Sequence, residues 1–379
     1  MKIMHVITGL SVGGAESLLC EMLLNSDQDS DVTVVSLSDI GSFGEKMQSH
    51  GIRVLALGMK PGRPSLPLLW KLIKLMKREA PDLVQTWMYH ADLLGGLAAR
   101  IAGNFPVIWG IHHADPRQNK RATIVVARLC SLGSGWIPSH VIACSDAARR
   151  THVSFGYKDS VISVIHNGIR TSRFRNDRVS RLRESLWAGA QVVGHVCRWH
   201  PVKDHKTFIE AAGLVHAVNP RIKFALAGPG IETGNSQLMA WIEAAGLAES
   251  TFLLGAQSDV TDLMNGIDLH VSSSLHESFS LVTAEAMACG TPCVSTDTGI
   301  AATLIGDTGT VVPVQNPQAL ADGMLDLLAL PSQQLAALGA EARERVRQAY
   351  SLEDMISKYQ DIYRGLTASP HAKRKLTLP

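Results

Sequence analysis

Two glutamates flank the predicted start of a helix in the second half of the chain. In residues 276–292, HESFSLVTAEAMACGTP, Glu277 precedes this helix and Glu285 lies within it, with seven residues between the two. Gly290 ends the helix and Pro292 prevents it from continuing. Unpaired backbone amides at a helix start carry about half a positive charge and bind anions. This pattern predicts a site for a pyrophosphate.

Hydroxyl groups are the expected hydrogen-bond partners of the two carboxylates beside this site. Glu285 can accept hydrogen bonds from a ribose, and Glu277 can accept them from a second sugar. The amides predicted to hold the anion belong to Phe279, Ser280, Leu281, Val282 and Thr283. Taken alone, a glutamate pair at this spacing is weak evidence for a site. The alternative interpretation is a surface helix with two solvated carboxylates.

A second group of charges follows a predicted strand. In residues 197–205, CRWHPVKDH, the strand ends at Arg198, and Lys203 lies on the loop that follows. Arginine binds phosphate with a planar fork and lysine binds it as a point charge. A leaving diphosphate gains negative charge during transfer, so two such cations would stabilise the transition state more than the ground state. The alternative is a pair of solvated surface charges.

Metal binding is the competing interpretation of the same segment. The side chains that could ligate an ion there are His195, Cys197, His200 and His205. Their spacing fits no common zinc pattern, and His195 and Cys197 are expected to be neighbours on one face of a buried strand. The D-x-D string of Asp27 and Asp29 lies in a polar loop, where a solvated turn is favoured over a cation site. We therefore expect no bound metal.

Two segments of the first half also follow predicted strands. In TGLSVGGAES, residues 8–17, Gly13 and Gly14 let the backbone approach a ligand closely, although neither the dinucleotide fingerprint nor the P-loop is matched. His112 ends a strand, where its imidazole could hydrogen-bond a sugar hydroxyl or the acceptor, while His113 is expected to point elsewhere. The alternatives are a plain strand–helix turn and a structural histidine.

Short apolar runs must position these groups, and they alternate with helical patterns. In the first half the runs lie at 2–8, 31–37, 53–58, 82–88, 106–112, 140–145 and 161–166, with helices predicted at 15–25, 66–79, 91–102, 120–133 and 146–155. In the second half they lie at 191–199, 223–228, 251–255, 269–274, 293–296 and 310–314, followed by helices at 317–329, 333–349 and 352–365. Apolar strands separated by helices predict parallel sheets covered on both faces, with ligands at the carboxyl ends of the strands.

The alternation stops once, at the polar, Arg-rich stretch 167–190. We therefore predict an α/β fold of two Rossmann-like, doubly wound parallel-sheet domains with a cleft between them as the default site. The predicted segments are the domains 1–168 and 169–350, a last helix at 351–366 and a flexible polar tail at 367–379.

Composition narrows the function classes. The formal net charge of +2 argues against bulk electrostatic binding to nucleic acid. Six cysteines without a C-x-x-C pair suit a reducing compartment. There is no signal-peptide pattern and no run long enough to cross a bilayer, so we expect a cytoplasmic protein. In residues 67–80, four basic residues accompany Trp70, which is typical of an interfacial helix, although a sheet-covering helix with one basic face is the preferred interpretation.

Taken in order, these motifs resemble the family 4 glycosyltransferases of the GT-B fold, the glycosyl transferases of group 1. The resemblance covers nearly all of the chain. It consists of GGAE at 13–16, the strand-end His112, IHNGI at 165–169, Arg198 and Lys203 of a G-R-x-x-x-x-K-type loop, LAGPG at 226–230, and the Glu–seven–Glu element. No single motif is specific, but the ordered set is.

The resemblance implies a metal-independent, retaining hexosyltransferase. In such enzymes the first domain binds the acceptor, the second binds the nucleotide sugar, and the last helix crosses back onto the first. Carried over to this chain, Arg198 and Lys203 hold the diphosphate, Glu285 the ribose and Glu277 the donor hexose, while His112 and the GGA loop reach the donor from the first domain. The sequence differs from the family pattern at two places that could alter the fit of the donor. Cys197 stands where the family commonly has glycine, and SFSL at 278–281 lacks the glycine often found in that loop.

The implied substrates are a UDP- or GDP-sugar and a glycan or lipid-linked acceptor of bacterial cell-surface polysaccharide synthesis, with no additional cofactor. Family members work at the inner face of the membrane, so a peripheral membrane contact is an open alternative to a freely cytoplasmic protein. A non-catalytic nucleotide-sugar-binding protein and a nucleotide-dependent oxidoreductase are the competing functions. The missing dinucleotide fingerprint opposes the oxidoreductase.

Overall fold

The computed structural model describes residues 1–11, 13–26, 30–60, 66–175, 180–257 and 259–368. These residues form two compact units. One comprises Met1–Gly168 together with the segment that begins at Leu352, and the other comprises Ile169–Ser351. Asp27 and Asp29 lie outside the described residues, so the expectation of a solvated turn there stays a prediction.

The first unit is built on a seven-stranded parallel sheet. Its strands are β1 (Lys2–Ile7), β2 (Asp31–Ser36), β3 (Arg53–Ala56), β4 (Leu83–Trp87), β5 (Val107–Ile111), β6 (His140–Ala143) and β7 (Ile162–Val164). Their order in the sheet is β3-β2-β1-β4-β5-β6-β7. The helices between them are α1 (Gly14–Asn25), α2 (Gly41–Ser49), α3 (Leu66–Glu79), α4 (Tyr89–Gly103), α5 (Arg121–Gly133) and α6 (Asp146–Phe155).

Side chains of the first strand alternate between two separate apolar cores. Met4 and Val6 pack with residues of α3, α4 and α5. Ile3 and Ile7 pack on the opposite face with residues of α1. Successive side chains of a strand point to opposite faces, so this alternation shows that helices cover both sides of the sheet.

The second unit repeats this design with six parallel strands. They are β8 (Val192–Val196), β9 (Lys223–Ala227), β10 (Thr251–Leu253), β11 (Leu269–Ser272), β12 (Cys293–Thr296) and β13 (Gly309–Val312), in the order β10-β9-β8-β11-β12-β13. The helices are α7 (Arg181–Leu186), α8 (His205–Val218), α9 (Ser236–Ala244), α10 (Thr261–Gly266), α11 (Leu281–Ala288), α12 (Ala301–Ile305), α13 (Pro317–Leu328) and α14 (Ser332–Ala349). The prediction of two doubly wound parallel sheets is confirmed.

Strand order changes direction at one place in each sheet. In the first unit this place lies between β1 and β4, and in the second between β8 and β11. The loops at the carboxyl ends of two such strands diverge and leave a crevice, which is where doubly wound sheets bind ligands. The predicted site residues of the second unit follow β8 and β11, and Gly13 follows β1.

The last helix, α15 (Leu352–Ala368), belongs to the first unit, where Met355, Tyr359 and Tyr363 join the core beside α1. The prediction of a flexible tail from residue 367 is wrong for 367 and 368. Thr367 continues the helix, and its hydroxyl donates to the Tyr363 carbonyl over 2.9 Å. The helix is described as far as Ala368. Residues 369–379 lie outside the described part of the chain.

Candidate active site

An ion pair joins the two loops at the crevice of the second sheet. Lys203 ends a 3₁₀ turn, Pro201–Lys203, after β8, and Glu277 lies on the loop after β11. The Lys203 ammonium donates to Glu277 Oε1. The side chains are only 20% and 17% exposed, so the pair is shielded from bulk water. The structure therefore brings together two predicted site residues that are 74 positions apart in the sequence.

Serines following β11 hold this pair in place. The Ser274 hydroxyl donates to Glu277 Oε1 over 3.0 Å. The Ser273 hydroxyl lies 2.8 Å from the Lys203 carbonyl oxygen, and the Leu275 amide donates to the Val202 carbonyl over 2.8 Å. Sequence reasoning did not assign a role to these serines. Their signal was the run of three serines at the end of a predicted strand.

Arg198 lies on the same loop as Lys203, two residues beyond the end of β8, and its side chain is exposed. Burial, and then the charges of Arg198 and Lys203, lower the pKa of His200, so both cations act on one imidazole. The following residue, Trp199, donates its amide to the Pro229 carbonyl over 2.8 Å. The backbone beyond β9 therefore supports the cationic loop.

The helix start predicted from the sequence lies directly after Glu277. Ser280 caps α11, because its hydroxyl accepts from the Thr283 amide, and its carbonyl accepts the first helical bond from Ala284. The amides of Leu281 and Val282 precede that bond, so they have no partner within the helix. The Phe279 ring is buried against Tyr350, with ring centroids 5.7 Å apart. Only the backbone of Phe279 is therefore suited to ligand binding.

Glu285 is half-buried on α11, one turn after its start. Its charge, after burial, helps to raise the pKa of Cys289 to about 12. The loop after β12 approaches the backbone of Glu277 closely, since a Cβ at Gly299 would overlap the Glu277 carbonyl oxygen. The candidate site of the second unit thus combines Arg198, Lys203 and Glu277 with the helix that carries Glu285.

His112 of the first unit lies in an aromatic stack. Its imidazole packs on Trp87 with centroids 4.9 Å apart, and Trp87 is itself parallel to Tyr359 of α15 at 6.2 Å. Burial, and to a smaller extent His113, lower the pKa of His112 to about 3. The imidazole is therefore neutral at physiological pH, and it suits a hydrogen bond rather than an ion pair. His113 stacks instead on Tyr89 at 4.8 Å.

The glycine-rich turn of the first unit ends at the start of α1. Gly13 is the residue before the helix, in extended conformation, and Gly14 is its first residue. A Cβ at Gly13 would overlap the carboxylate of Glu16, so this carboxylate lies over the helix start. An incoming phosphate would have to displace it, because two anions repel each other at the same amides.

A cavity of about 900 Å³ lies elsewhere in the first unit. It is lined by the amino ends of β1, β2 and β3 and by α15, including Ile3, Asp31, Arg53 and Tyr363. Ligands of doubly wound sheets bind at the carboxyl ends of the strands, so this cavity is not a candidate for the active site.

Comparison with known families assigns both units. The family model described as "Glycosyl transferases group 1" matches residues 182–345, and the one described as "Glycosyltransferase Family 4" matches residues 12–173. Together with the two sheets and the structural neighbours below, these matches show that the chain is a glycosyltransferase of the group 1, family 4 type with the GT-B fold.

Individual relatives agree with this class. One relative is EpsF of Bacillus subtilis (strain 168), a protein named as a glycosyltransferase. It is 26% identical over 78% of this chain and 79% of its own length. The UDP-Gal:alpha-D-GlcNAc-diphosphoundecaprenol alpha-1,3-galactosyltransferase of Escherichia coli is 28% identical over 60% of each chain. The crystal structure of HepE from Anabaena in complex with UDP and glucose has a TM-score of 0.85 at 25% identity. This match covers 96% of this chain and 100% of HepE.

Among the described helices, none combines the length and the apolar character that a membrane span requires.

Proposed function

We propose that this glycosyltransferase moves a hexose from a nucleoside diphosphate to an acceptor hydroxyl, retains the anomeric configuration and needs no metal ion. The observation that carries the proposal is the shielded Lys203–Glu277 pair beside Arg198 and the start of α11. The family of the protein indicates the reaction, and this cluster is the proposed cationic binding site for the leaving diphosphate.

Each group of the cluster has a separate task in this proposal. Lys203 and Arg198 neutralise the charge that grows on the diphosphate as the glycosidic bond breaks. The free amides of Leu281 and Val282 add partial positive charge at the same end of the site. Glu277, oriented by Ser274, accepts hydrogen bonds from hexose hydroxyls, and Glu285 accepts them from the ribose.

Retention is proposed from the family resemblance. The acceptor approaches the face that the diphosphate leaves, and a phosphate oxygen takes the proton of the attacking hydroxyl. Because the charge on the diphosphate is balanced by protein cations, a divalent ion has no necessary role. Because His112 is neutral, we propose that it forms a hydrogen bond with a substrate hydroxyl rather than an ion pair with a phosphate.

The donor we propose is a UDP-sugar, with a GDP-sugar as the competing choice. HepE, which shares the fold of this chain at 25–26% identity, has been solved with UDP and glucose and with UDP alone. The named Escherichia coli relative uses UDP-Gal and an acceptor with a diphosphoundecaprenol group. We therefore propose a glycan or lipid-linked acceptor of cell-surface polysaccharide synthesis, used at the cytoplasmic side of the membrane.

Thermal unfolding in the presence of nucleotide sugars tests this proposal. With EDTA present, a UDP-sugar at about a hundred times its Kd should add roughly 2.7 kcal/mol to the free energy of unfolding, whereas a GDP-sugar should not. Arg198→Ala should lose this stabilisation and keep the unfolding midpoint of the unliganded protein. A midpoint shift that requires Mg²⁺ or Mn²⁺, or that persists in Arg198→Ala, would contradict the assignment.

A second part of the proposal concerns the membrane. On α3 the exposed residues include Leu66, Trp70, Lys71, Lys74, Lys77 and Arg78. Helix α4 packs between α3 and α5. Exposed apolar side chains also occur on α4 at Ile101, on α5 at Val125, Leu129 and Leu132, and after α5 at Trp136. Basic side chains beside exposed tryptophans are typical of a surface that binds anionic lipid. Together these exposed residues form what we call the lipid-facing surface.

Vesicle sedimentation tests this surface. The wild type should sediment with vesicles that contain anionic phospholipid, and salt should weaken the binding. Replacing Trp70 and Trp136, which are 60% and 63% exposed, by alanine should abolish most of it. Val218→Ala, which removes an equally exposed apolar side chain from the second unit, is the matched control. Equal sedimentation of the double variant and the wild type would disprove the assignment.

A further inference from the structure

Three potential metal ligands converge at the end of β8. They are His195 on the strand, Cys197 just beyond it and His205, the first residue of α8. One ligand atom from each lies within 4.8 Å of the other two. The sulfur of Cys197 lies 3.2 Å from His195 Nε2 and 3.8 Å from His205 Nε2. Spacing in the sequence concealed this group, since the turn after Arg198 brings His205 back to the strand.

These distances fit tetrahedral zinc. Zinc binds sulfur at about 2.3 Å and imidazole nitrogen at about 2.0–2.1 Å, which places the ligand atoms about 3.5 Å apart in a tetrahedron. The two observed sulfur–nitrogen distances lie on either side of this value. Only small side-chain movements are therefore needed to close the three ligands around an ion.

The imidazoles are already oriented for such a role. His195 donates from Nδ1 to the Val271 carbonyl over 2.9 Å, which leaves the lone pair of Nε2 directed at the sulfur. A backbone carbonyl on the second nitrogen is the usual support of a metal-binding histidine. His195 stacks on Phe208 at 4.3 Å and His205 on Trp199 at 4.8 Å, so neither ring can turn freely. Both histidines are at most 3% exposed.

His205 has an incomplete set of hydrogen bonds. Its Nε2 donates to the Arg198 carbonyl over 3.2 Å, whereas its buried Nδ1 has no hydrogen-bond partner among the described residues. Binding an ion through Nε2 moves the proton to Nδ1. Nδ1 has no partner in either tautomer, so the cost of the shift is the hydrogen bond from Nε2 to the Arg198 carbonyl, which the ion must outweigh. The Cys197 proton leaves to the solvent, because the thiolate is the form that ligates.

We propose that His195, Cys197 and His205 form a site for a thiophilic divalent cation of the zinc type, with water as the fourth ligand. The positive charge of Lys203 opposes such an ion, but the carboxylate of Glu277 offsets part of that repulsion, and the thiolate cancels one of the two charges of the ion. The ion joins the end of β8 to the start of α8 and so clamps the loop that carries Arg198 and Lys203. This inference does not depend on the proposed donor or acceptor.

Cobalt spectroscopy of the full-length, metal-stripped protein tests the site. Co²⁺ should produce a sulfur-to-cobalt charge-transfer band in the near ultraviolet and the strong visible bands of tetrahedral cobalt, both saturating at one equivalent. Zn²⁺ should displace the cobalt and abolish both bands. Cys197→Ser should lose the charge-transfer band, whereas Cys289→Ser, which removes another thiol of the second unit, should keep both.

Thermal unfolding provides a second readout and a check on folding. Zn²⁺ should raise the unfolding midpoint of the wild type and of Cys289→Ser but leave that of Cys197→Ser unchanged. If Cys197→Ser does not fold, His195→Gln serves instead, since it removes a ligand and keeps a polar side chain. The site is refuted if the wild type gives only the weak bands of octahedral cobalt. It is also refuted if a folded Cys197→Ser or His195→Gln variant matches the wild-type spectrum.

Discussion

Replacing Lys203 by alanine should lower kcat/KM for sugar transfer about 100- to 1000-fold, or roughly 3–4 kcal/mol in transition-state stabilisation. The reason is that the Lys203 ammonium is fixed before the donor binds. The Glu277 carboxylate, 17% exposed, accepts a hydrogen bond from the ammonium, and the Ser273 hydroxyl donates one to the Lys203 carbonyl. A hydrogen-bond donor that is already in place needs no reorganisation when charge develops on the diphosphate. Steady-state kinetics with a UDP-sugar measures the effect.

Lys206→Ala is the control for this variant. Lys206 lies three positions further along the chain and pairs with Glu210 on the exposed side of α8, where such a pair contributes little. Its loss should leave kcat/KM within about twofold of the wild type. If the two lysine variants lose activity equally, general surface charge rather than a fixed contact supports the reaction. The proposed role of Lys203 then fails.

The Lys203–Glu277 contact itself can be isolated with a double-mutant cycle. Lys203→Ala, Glu277→Gln and the double variant should show a coupling free energy of unfolding of about 1–2 kcal/mol, because the pair is shielded and hydrogen-bonded. Urea unfolding measures it. A coupling near zero would mean that the serines, rather than this ion pair, hold the two loops together.

Most of the fold could be predicted from the sequence because parallel sheets have a simple composition. Every strand overlaps one of the predicted apolar runs, and several runs extend past the strand at its carboxyl end. The run 269–274 is an example, since β11 ends at Ser272. Ser273 continues the extended pattern in sequence, but its side chain leaves the sheet and binds the carbonyls of Lys203 and Asp204. Composition cannot distinguish a paired backbone from such a loop.

Helix α2, in contrast, is an element that the sequence pattern does not predict. Its sequence, GSFGEKMQS, contains two glycines and few apolar residues, so it has little intrinsic preference for a helix. Burial of Met47 and Gly44 stabilises it instead. This is tertiary packing, and a local pattern does not record it.

The sequence places the candidate site residues at strand ends, but it does not show their contacts. Arg198, Lys203 and Glu277 follow β8 and β11, and strand order makes these two strands neighbours. Nothing in the sequence specifies that order or the pairing of Lys203 with Glu277. The Trp87–Tyr359 stack beneath His112 also depends on the return of α15 to the first sheet, 272 positions after Trp87 in the chain (359 − 87).

Gly228→Ala should destabilise the second unit by about 3 kcal/mol or more and abolish donor binding. Gly228 follows β9 with φ of +142°, a conformation that side chains other than glycine rarely adopt. A Cβ there would overlap the Cys197 carbonyl group and would lie 3.0 Å from the Arg198 amide nitrogen. The backbone that carries Arg198 would therefore have to move away from the sheet. Urea unfolding measures the stability, and the shift in unfolding midpoint caused by a UDP-sugar measures binding.

Gly234→Ala separates this effect from a general cost of replacing glycine. Gly234 lies only six residues further on, and a Cβ there meets no atom within 4 Å. It should be neutral or slightly stabilising, because alanine reduces the freedom of the unfolded chain. Equal destabilisation by both variants would show that the approach of Gly228 to Cys197 is not what orders the loop. Retained donor binding in a destabilised but folded Gly228→Ala variant would show that Arg198 tolerates displacement, and that the diphosphate is held chiefly by Lys203 and the start of α11.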